Sequence, residues 1–306
     1  MTKWFEQKEQ QAGVKRLILT WKIYKLFGIK PVRLIAFFIA LFAYIGGKVP
    51  RNASRKYFQV LMEHTKNAKF KPSFLNSIKH FYSYADSLID KMLAFSGNLQ
   101  AERFEYADMD VKNGMFEMLE AGKGIFFLSS HTGNVEIMRS LFSSVNSCVK
   151  PNVNVFLQKN SCEIFNGFLD YIKVKIPVEV HSVEEISVDT AVTLKEKLNQ
   201  GEIVFMAGDR LSAQYPELSY ETEFLHKKVQ FPLGALKFAQ MLECPIYFVI
   251  CVKEGDIFKI YLKKFEANGT KKEVFKALQL EYKAFLEDIT TKYPYQFYNF
   301  YTMFID

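Results

Sequence analysis

From about residue 110 onward the chain alternates short β-rich runs with segments of helical length, and no other feature narrows its fold so far. The runs are IFFLSS (125–130), NVFLQ (154–158), VEVHSV (178–183), IVFMAGD (203–209), IYFVICV (246–252) and FKIYLKKF (258–265). VEIMRSLFSSV and DTAVTLKEKLNQ lie among the segments between them. Several runs are nearly unbroken apolar stretches, the pattern of strands covered on both faces. The rhythm predicts an α/β fold with a largely parallel central sheet flanked by helices. Two helical stretches precede it: ASRKYFQVLMEHT, with Asn52 as its N-cap, and SFLNSIKHFYSYADSLIDKMLAF, which follows Pro72 and ends near Gly97. A final amphipathic helix stops at Pro294.

The N-terminus has a different texture. Residues 1–60 carry 12 Lys and Arg against two Glu and no Asp, a net of +10; the whole chain is +7, so residues 61–306 sum to −3. A basic excess this local points to a polyanionic surface, either a nucleic acid or an anionic membrane. LIAFFIALFAYIGG, Leu34 to Gly47, lies in the middle of it without a charge. As a helix those residues would be about 21 Å long, short of a bilayer core of about 30 Å. Lys22, Lys25, Lys30 and Arg33 flank it on one side and Lys48, Arg51, Arg55 and Lys56 on the other. Basic residues on both sides suit a helix that lies in, or enters and leaves, the same leaflet. The segment VKRLILTWKIYKLFG just before it reads as an interfacial amphipathic helix. This argues against nucleic acid. The chain thus divides into basic, membrane-associated N-terminal helices (1–60) and an α/β domain (61–306). No secretory signal is expected, since the first ten residues are polar. The four cysteines show no ligand spacing and read as reduced core residues.

Sites in open α/β sheets form beyond the carboxyl ends of strands. Two runs end that way, IFFLSS before HTGN and IVFMA before GDR. In the first, Glu136 follows His131 by five residues. On one regular helix the two would sit about 500° apart and point away from each other. They meet only if His131 lies in the turn before a helix and Glu136 in its first turn. Gly133 permits that turn, and Thr132 or Asn134 can cap it. A carboxylate on the imidazole would fix its tautomer and make it a general base. With no nucleophile at a strand-end elbow, the layout suits direct transfer to a hydroxyl or amine. Taken alone, the spacing is better explained by an interior histidine and a solvated first-turn acid, because such matches are common by chance. It is not a metal-ligand spacing, and no metal is expected.

The block GKGIFFLSSHTGNVE resembles the H-x4-D/E block of the lysophospholipid acyltransferase superfamily. It is most similar to the bacterial branch that includes the lipid A secondary acyltransferases. GDR (208–210) resembles that family's second block, and FLHKKVQFPLGALKFAQMLECPIYFVI (224–250) its Phe-x-Gly and Pro-x-Gly region. The ending YPYQFYNFY and the start, a Trp followed by basic and apolar helices and RNASRKYF, resemble the same branch. The resemblance covers nearly the whole chain in order. It implies His131 as general base and Glu136 as its orienting partner, with Asn134, Gly208, Asp209 and Arg210 on the acceptor or phosphate side of the cleft. It also implies an acyl donor on acyl carrier protein or coenzyme A, no bound cofactor, a lipid acceptor, and a place on the cytoplasmic face of the bacterial inner membrane. Lipid A enzymes usually carry an Arg-Pro-like sequence after the second strand. Here LQKNS stands there, so Lys159 would meet a phosphate as a point charge and lipid A is a less favoured acceptor. Lys227 and Lys228 are candidates for docking an acidic carrier, or else form solvated charge pairs. Two alternatives stay open: a thioesterase or lipid hydrolase using the same histidine, and a non-catalytic membrane lipid-binding protein.

Overall fold

The computed structural model describes residues 13–134, 137, 151–174, 178–212, 214–301 and 303–305. It is an α/β structure around a mostly parallel seven-stranded sheet. The strands are β1 (Phe104–Tyr106), β2 (Ile125–Ser129), β3 (Val153–Leu157), β4 (Val178–Ser182), β5 (Ile203–Ala207), β8 (Ile246–Glu254) and β9 (Ile257–Lys264), in the order β1-β9-β8-β2-β5-β3-β4. From β8 to β4 every pairing is parallel. β9 returns antiparallel to β8 through a tight turn at Gly255, and β1 pairs parallel to β9. All six strands expected from the sequence are present. The short β1 and a separate hairpin, β6 (Ser219–Phe224) with β7 (Lys227–Pro232), were not expected.

Side chains of the central strands alternate between two cores, as the period of two requires. Phe126, Leu128, Val204, Met206, Phe248 and Ile250 face one, closed by the helices α3 (Lys48–Thr65), α7 (Val188–Asn199), α8 (Gly234–Met241) and α9 (Lys271–Lys292). Ile125, Phe127, Ile203, Phe205, Tyr247 and Val249 face the other, where α5 (Met109–Glu120) supplies Met115 and Leu119. Both faces are covered, which is why these strands read as continuous apolar runs. α6 (Lys159–Ile172) buries Phe165 and Phe168 in a third cluster.

The N-terminal region consists of α1 (Val14–Phe27) and α2 (Ile29–Gly46), and it leads into α3 without a linker. α3 begins at Lys48, earlier than expected, so Asn52 lies inside the helix and does not cap it. The boundary drawn at residue 60 falls within α3, whose Tyr57, Phe58, Val60 and Leu61 belong to the main core. α2 packs along α4 (Phe74–Phe95). Val32, Ala36, Ala40 and Tyr44, four residues apart, form its buried stripe. Leu34, Ile35, Phe38, Ile39, Phe42 and Ile45 are exposed, Phe42 to 70%. The helix has 18 residues and is apolar and long enough to cross a membrane by length and composition.

A four-charge cluster joins α2, α4 and β8. Arg33 Nε lies 3.0 Å from Asp86 Oδ1, and Arg33 Nη2 lies 3.3 Å from Asp90 Oδ1. Lys253 Nζ reaches Asp86 Oδ2 and Asp90 Oδ2, both at 2.6 Å. Asp90 is only 1% exposed, and burial raises its carboxyl, with Lys253 and Arg33 acting in the opposite sense. Removing one partner from a buried cluster strands the others. Lys253→Met is therefore expected to lower unfolding stability by about 3 kcal/mol, measured by chemical denaturation at neutral pH.

Candidate active site

β2 and β5 are parallel neighbours in register, with Ile125 opposite Ile203 and Ser129 opposite Ala207. Two residues beyond each paired end stand His131 and Asp209, and the register brings them together. Asp209 Oδ1 lies 2.8 Å from His131 Nδ1, and Asp209 Oδ2 accepts from the His131 backbone N–H at 3.0 Å. Asn299 Nδ2 donates to the same Oδ2 at 3.0 Å. The carboxylate is fully buried while the imidazole is 38% exposed. Burial alone would push the Asp209 carboxyl up. The charge and hydrogen bond of His131, the Arg210 charge and Asn299 outweigh that and hold it down at about 2.

At neutral pH Asp209 is therefore an acceptor only, so the His131 proton resides on Nδ1. In the neutral ring this tautomer leaves the lone pair on Nε2. The imidazole is thus oriented as a base by a buried carboxylate.

The turn that carries His131 is built closely around its neighbours. Gly133 has φ +68°, and a Cβ there would lie 2.1 Å from the Cys251 carbonyl oxygen, so only glycine fits. Asn134 N donates to that same carbonyl at 2.6 Å, and Asn134 Nδ2 donates to Ser87 O of α4 at 2.7 Å. Tyr282 of α9 donates to Ser129 O at 2.5 Å.

The C-terminal segment closes the other side. Gly133 N donates to Gln296 O at 2.7 Å and Tyr298 N to His131 O at 2.9 Å, while Thr132 bridges Phe297. The Gln296 side chain in turn clasps the backbone of Lys253, at 2.9 Å on both its N–H and its carbonyl.

His131, Asn134, Gly208, Asp209 and Arg210 come together here, but several roles differ from expectation. Asp209 is the partner of the imidazole, the place expected for Glu136; Glu136 lies outside the described residues. Asp209 is also too buried to face an acceptor. Asn134 is 3% exposed and ties the turn to α4 and β8. Gly208 is there for space: a Cβ would lie 2.9 Å from Leu128 Cδ1. Arg210 directs its guanidinium to the C-terminal segment, at 3.0 Å from Asn299 Oδ1 and 2.8 Å from Tyr298 O. Lys159 begins α6 beyond β3, where its Nζ pairs with Glu185 at 3.5 Å, apart from this cluster. Lys227 and Lys228 pair with Glu63 and Glu221, the charge-pair alternative of the sequence reading.

A signal for the dyad was present in the sequence. IFFLSSH and IVFMAGD both reach their polar residue six positions after the first strand residue. A parallel in-register pairing then sets the two side by side. Asn299 had no such signal. Among the described residues, no group of three or more His, Cys, Asp or Glu could hold a metal ion.

Behind the site, His80 of α4 is fully buried, with Nε2 2.6 Å from Phe297 O and Nδ1 3.1 Å from Ser54 Oγ. A carbonyl only accepts, so Nε2 carries the proton and Ser54 donates to Nδ1. Burial lowers the ring's pKa to about 4, against a partial rise from the Phe297 carbonyl. No model of a known protein family matches the chain, and no curated protein does.

The titration of His80 sets a pH window. Above the ordinary imidazole value the ring is neutral in folded and unfolded chains alike. Below it the unfolded chain binds a proton that the folded chain refuses until about pH 4. Stability should thus fall by about 3 kcal/mol as pH drops through that window. His80→Gln is expected to flatten the slope, read from denaturation midpoints at stepped pH.

Proposed function

We propose that this chain is a membrane-surface acyltransferase that moves a fatty acyl group from a thioester donor to the hydroxyl or amine of a lipid. The observation that carries the reading is the His131–Asp209 pair, a half-exposed base held by a buried carboxylate at the ends of adjacent strands. Its resemblance at the sequence level to the lysophospholipid acyltransferase superfamily points the same way. The acceptor hydroxyl loses its proton to His131 Nε2 as its oxygen attacks the thioester carbonyl carbon. The carbon–sulfur bond then breaks, and the imidazolium returns the proton to the departing thiolate. Acyl carrier protein and coenzyme A both provide such a thioester.

The exposed apolar face of α2 supports a lipid surface as the setting. Its other face is fastened lengthwise to α4, which carries Lys79, Asp86, Asp90 and Lys91, and Arg33 on α2 itself joins the buried charge cluster. Crossing a bilayer would drag those charges into hydrocarbon at several kcal/mol each, by about the cost for ionised groups at mid-membrane. Lying at the surface keeps them in the protein while Phe38, Phe42 and Ile45 enter the leaflet, and exposed Lys22, Lys25 and Lys30 meet anionic headgroups.

Two measurements test the reading. Lipid mass spectrometry compares cells with the wild-type chain, without it, or with His131→Ala. One lipid class should lose an acyl chain in both defective strains, and an acylation profile untouched by His131→Ala sinks the base assignment. With the acceptor so identified, His131→Ala should cost about 10²- to 10⁴-fold in turnover, as removal of a general base does. In vesicle flotation, the Phe38→Glu/Phe42→Glu variant should lose binding to phosphatidylglycerol vesicles. Full retention by that variant would rule out α2 as the docking element.

A further inference from the structure

Asp209 and Arg210 are consecutive and opposite in charge, yet among the described residues no hydrogen bond joins their side chains. Asn299, 2% exposed, stands between them. Its Oδ1 accepts from Arg210 Nε at 3.0 Å and its Nδ2 donates to Asp209 Oδ2 at 3.0 Å. Only this orientation of the amide is possible. Arginine is a donor without acceptors and ionised aspartate an acceptor without donors, so the bridging group must turn its oxygen to one and its nitrogen to the other. Asparagine does this with a single planar group. Leucine or alanine offers neither.

We propose that Asn299 is a positioning residue that keeps Arg210 off Asp209 and so reserves Asp209 Oδ1 for His131. A guanidinium facing a carboxylate directly tends to dock its fork on both oxygens, which would take Oδ1 from the imidazole. With the amide interposed, the positive charge still helps keep Asp209 ionised, while the hydrogen-bonded link to it runs through Oδ2. Tyr298 strengthens the arrangement from both sides: its carbonyl accepts from Arg210 Nη2 at 2.8 Å and its N–H donates to His131 O at 2.9 Å. The C-terminal segment thereby holds the base, its carboxylate and the nearby cation in one frame. The catalytic consequence rests on His131 acting as the base; the effect on the ring itself does not.

The test reads the ring and needs no substrate. Full-length chain labelled with ¹⁵N-histidine is compared as wild type, Asn299→Ala and Asn299→Ala/Arg210→Gln at about pH 8.5, above the ordinary imidazole range. Loss of signal in His131→Gln identifies the His131 resonances among the five histidines. Wild type should show the proton on Nδ1. Asn299→Ala should shift the tautomer ratio toward Nε2–H roughly tenfold, the scale of one charge-assisted hydrogen bond. Removing Arg210 as well should return it toward the wild type. A wild-type tautomer in Asn299→Ala overturns the proposal, and so does a tautomer still disturbed in the double variant. Asn299→Leu, which fills the space left by the amide, gives the same reading should the truncation fail to fold. Lipid changes that survive in His131→Ala would overturn the base reading and leave the tautomer result standing.

Discussion

The parallel pairing of β2 with β5 is the constraint on which the site depends. Strand pairing at a side-chain period of two leaves no intermediate register, because a slip of one residue would turn both apolar sets inside out. Phe126 and Leu128 must face one core and Ile125 and Phe127 the other. Once that is satisfied, the two residues beyond each strand end are fixed relative to each other, and His131 meets Asp209. Burial of large apolar side chains thus sets a polar geometry to within a hydrogen bond.

The sheet alone does not finish the site. The turn after β2 has backbone groups that find no strand partner, and they are met by β8 and by the C-terminal segment: Cys251 O takes Asn134 N, Gln296 O takes Gly133 N, and Tyr298 N bonds His131 O. These contacts cross long stretches of chain, so the site exists only when the last residues have docked. Asn299 extends the same logic to side chains, since its buried amide joins Arg210 and Asp209.

The charge cluster connects this frame to the N-terminal helices. Lys253 holds Gln296 through its backbone and Asp86 and Asp90 through its ammonium, and Arg33 on α2 completes the set. Two cations and two carboxylates balance, which makes their burial tolerable. The exposed face of α2 and the turn bearing His131 are consequently parts of one packed body, joined through α4.

Sequence periodicity alone determined that the chain has a central sheet covered on both faces, where its six main strands lie, and that an apolar helix with basic flanks precedes them. It also singled out His131 and the GDR block, because polar residues at the end of an apolar strand stand out locally. It offered Glu136 as the partner of the ring; the carboxylate on Nδ1 is that of Asp209, and Glu136 lies outside the described residues. H-x4-E is a contact close in sequence, and local spacing is what a single sequence reveals. The Asp209 contact depends on which strand lies next to β2, and strand order is decided by packing among all the elements. Asn299 was invisible for the same reason: an asparagine among aromatics near the chain end acquires its role only when the tertiary structure brings Arg210 to one side of it and Asp209 to the other.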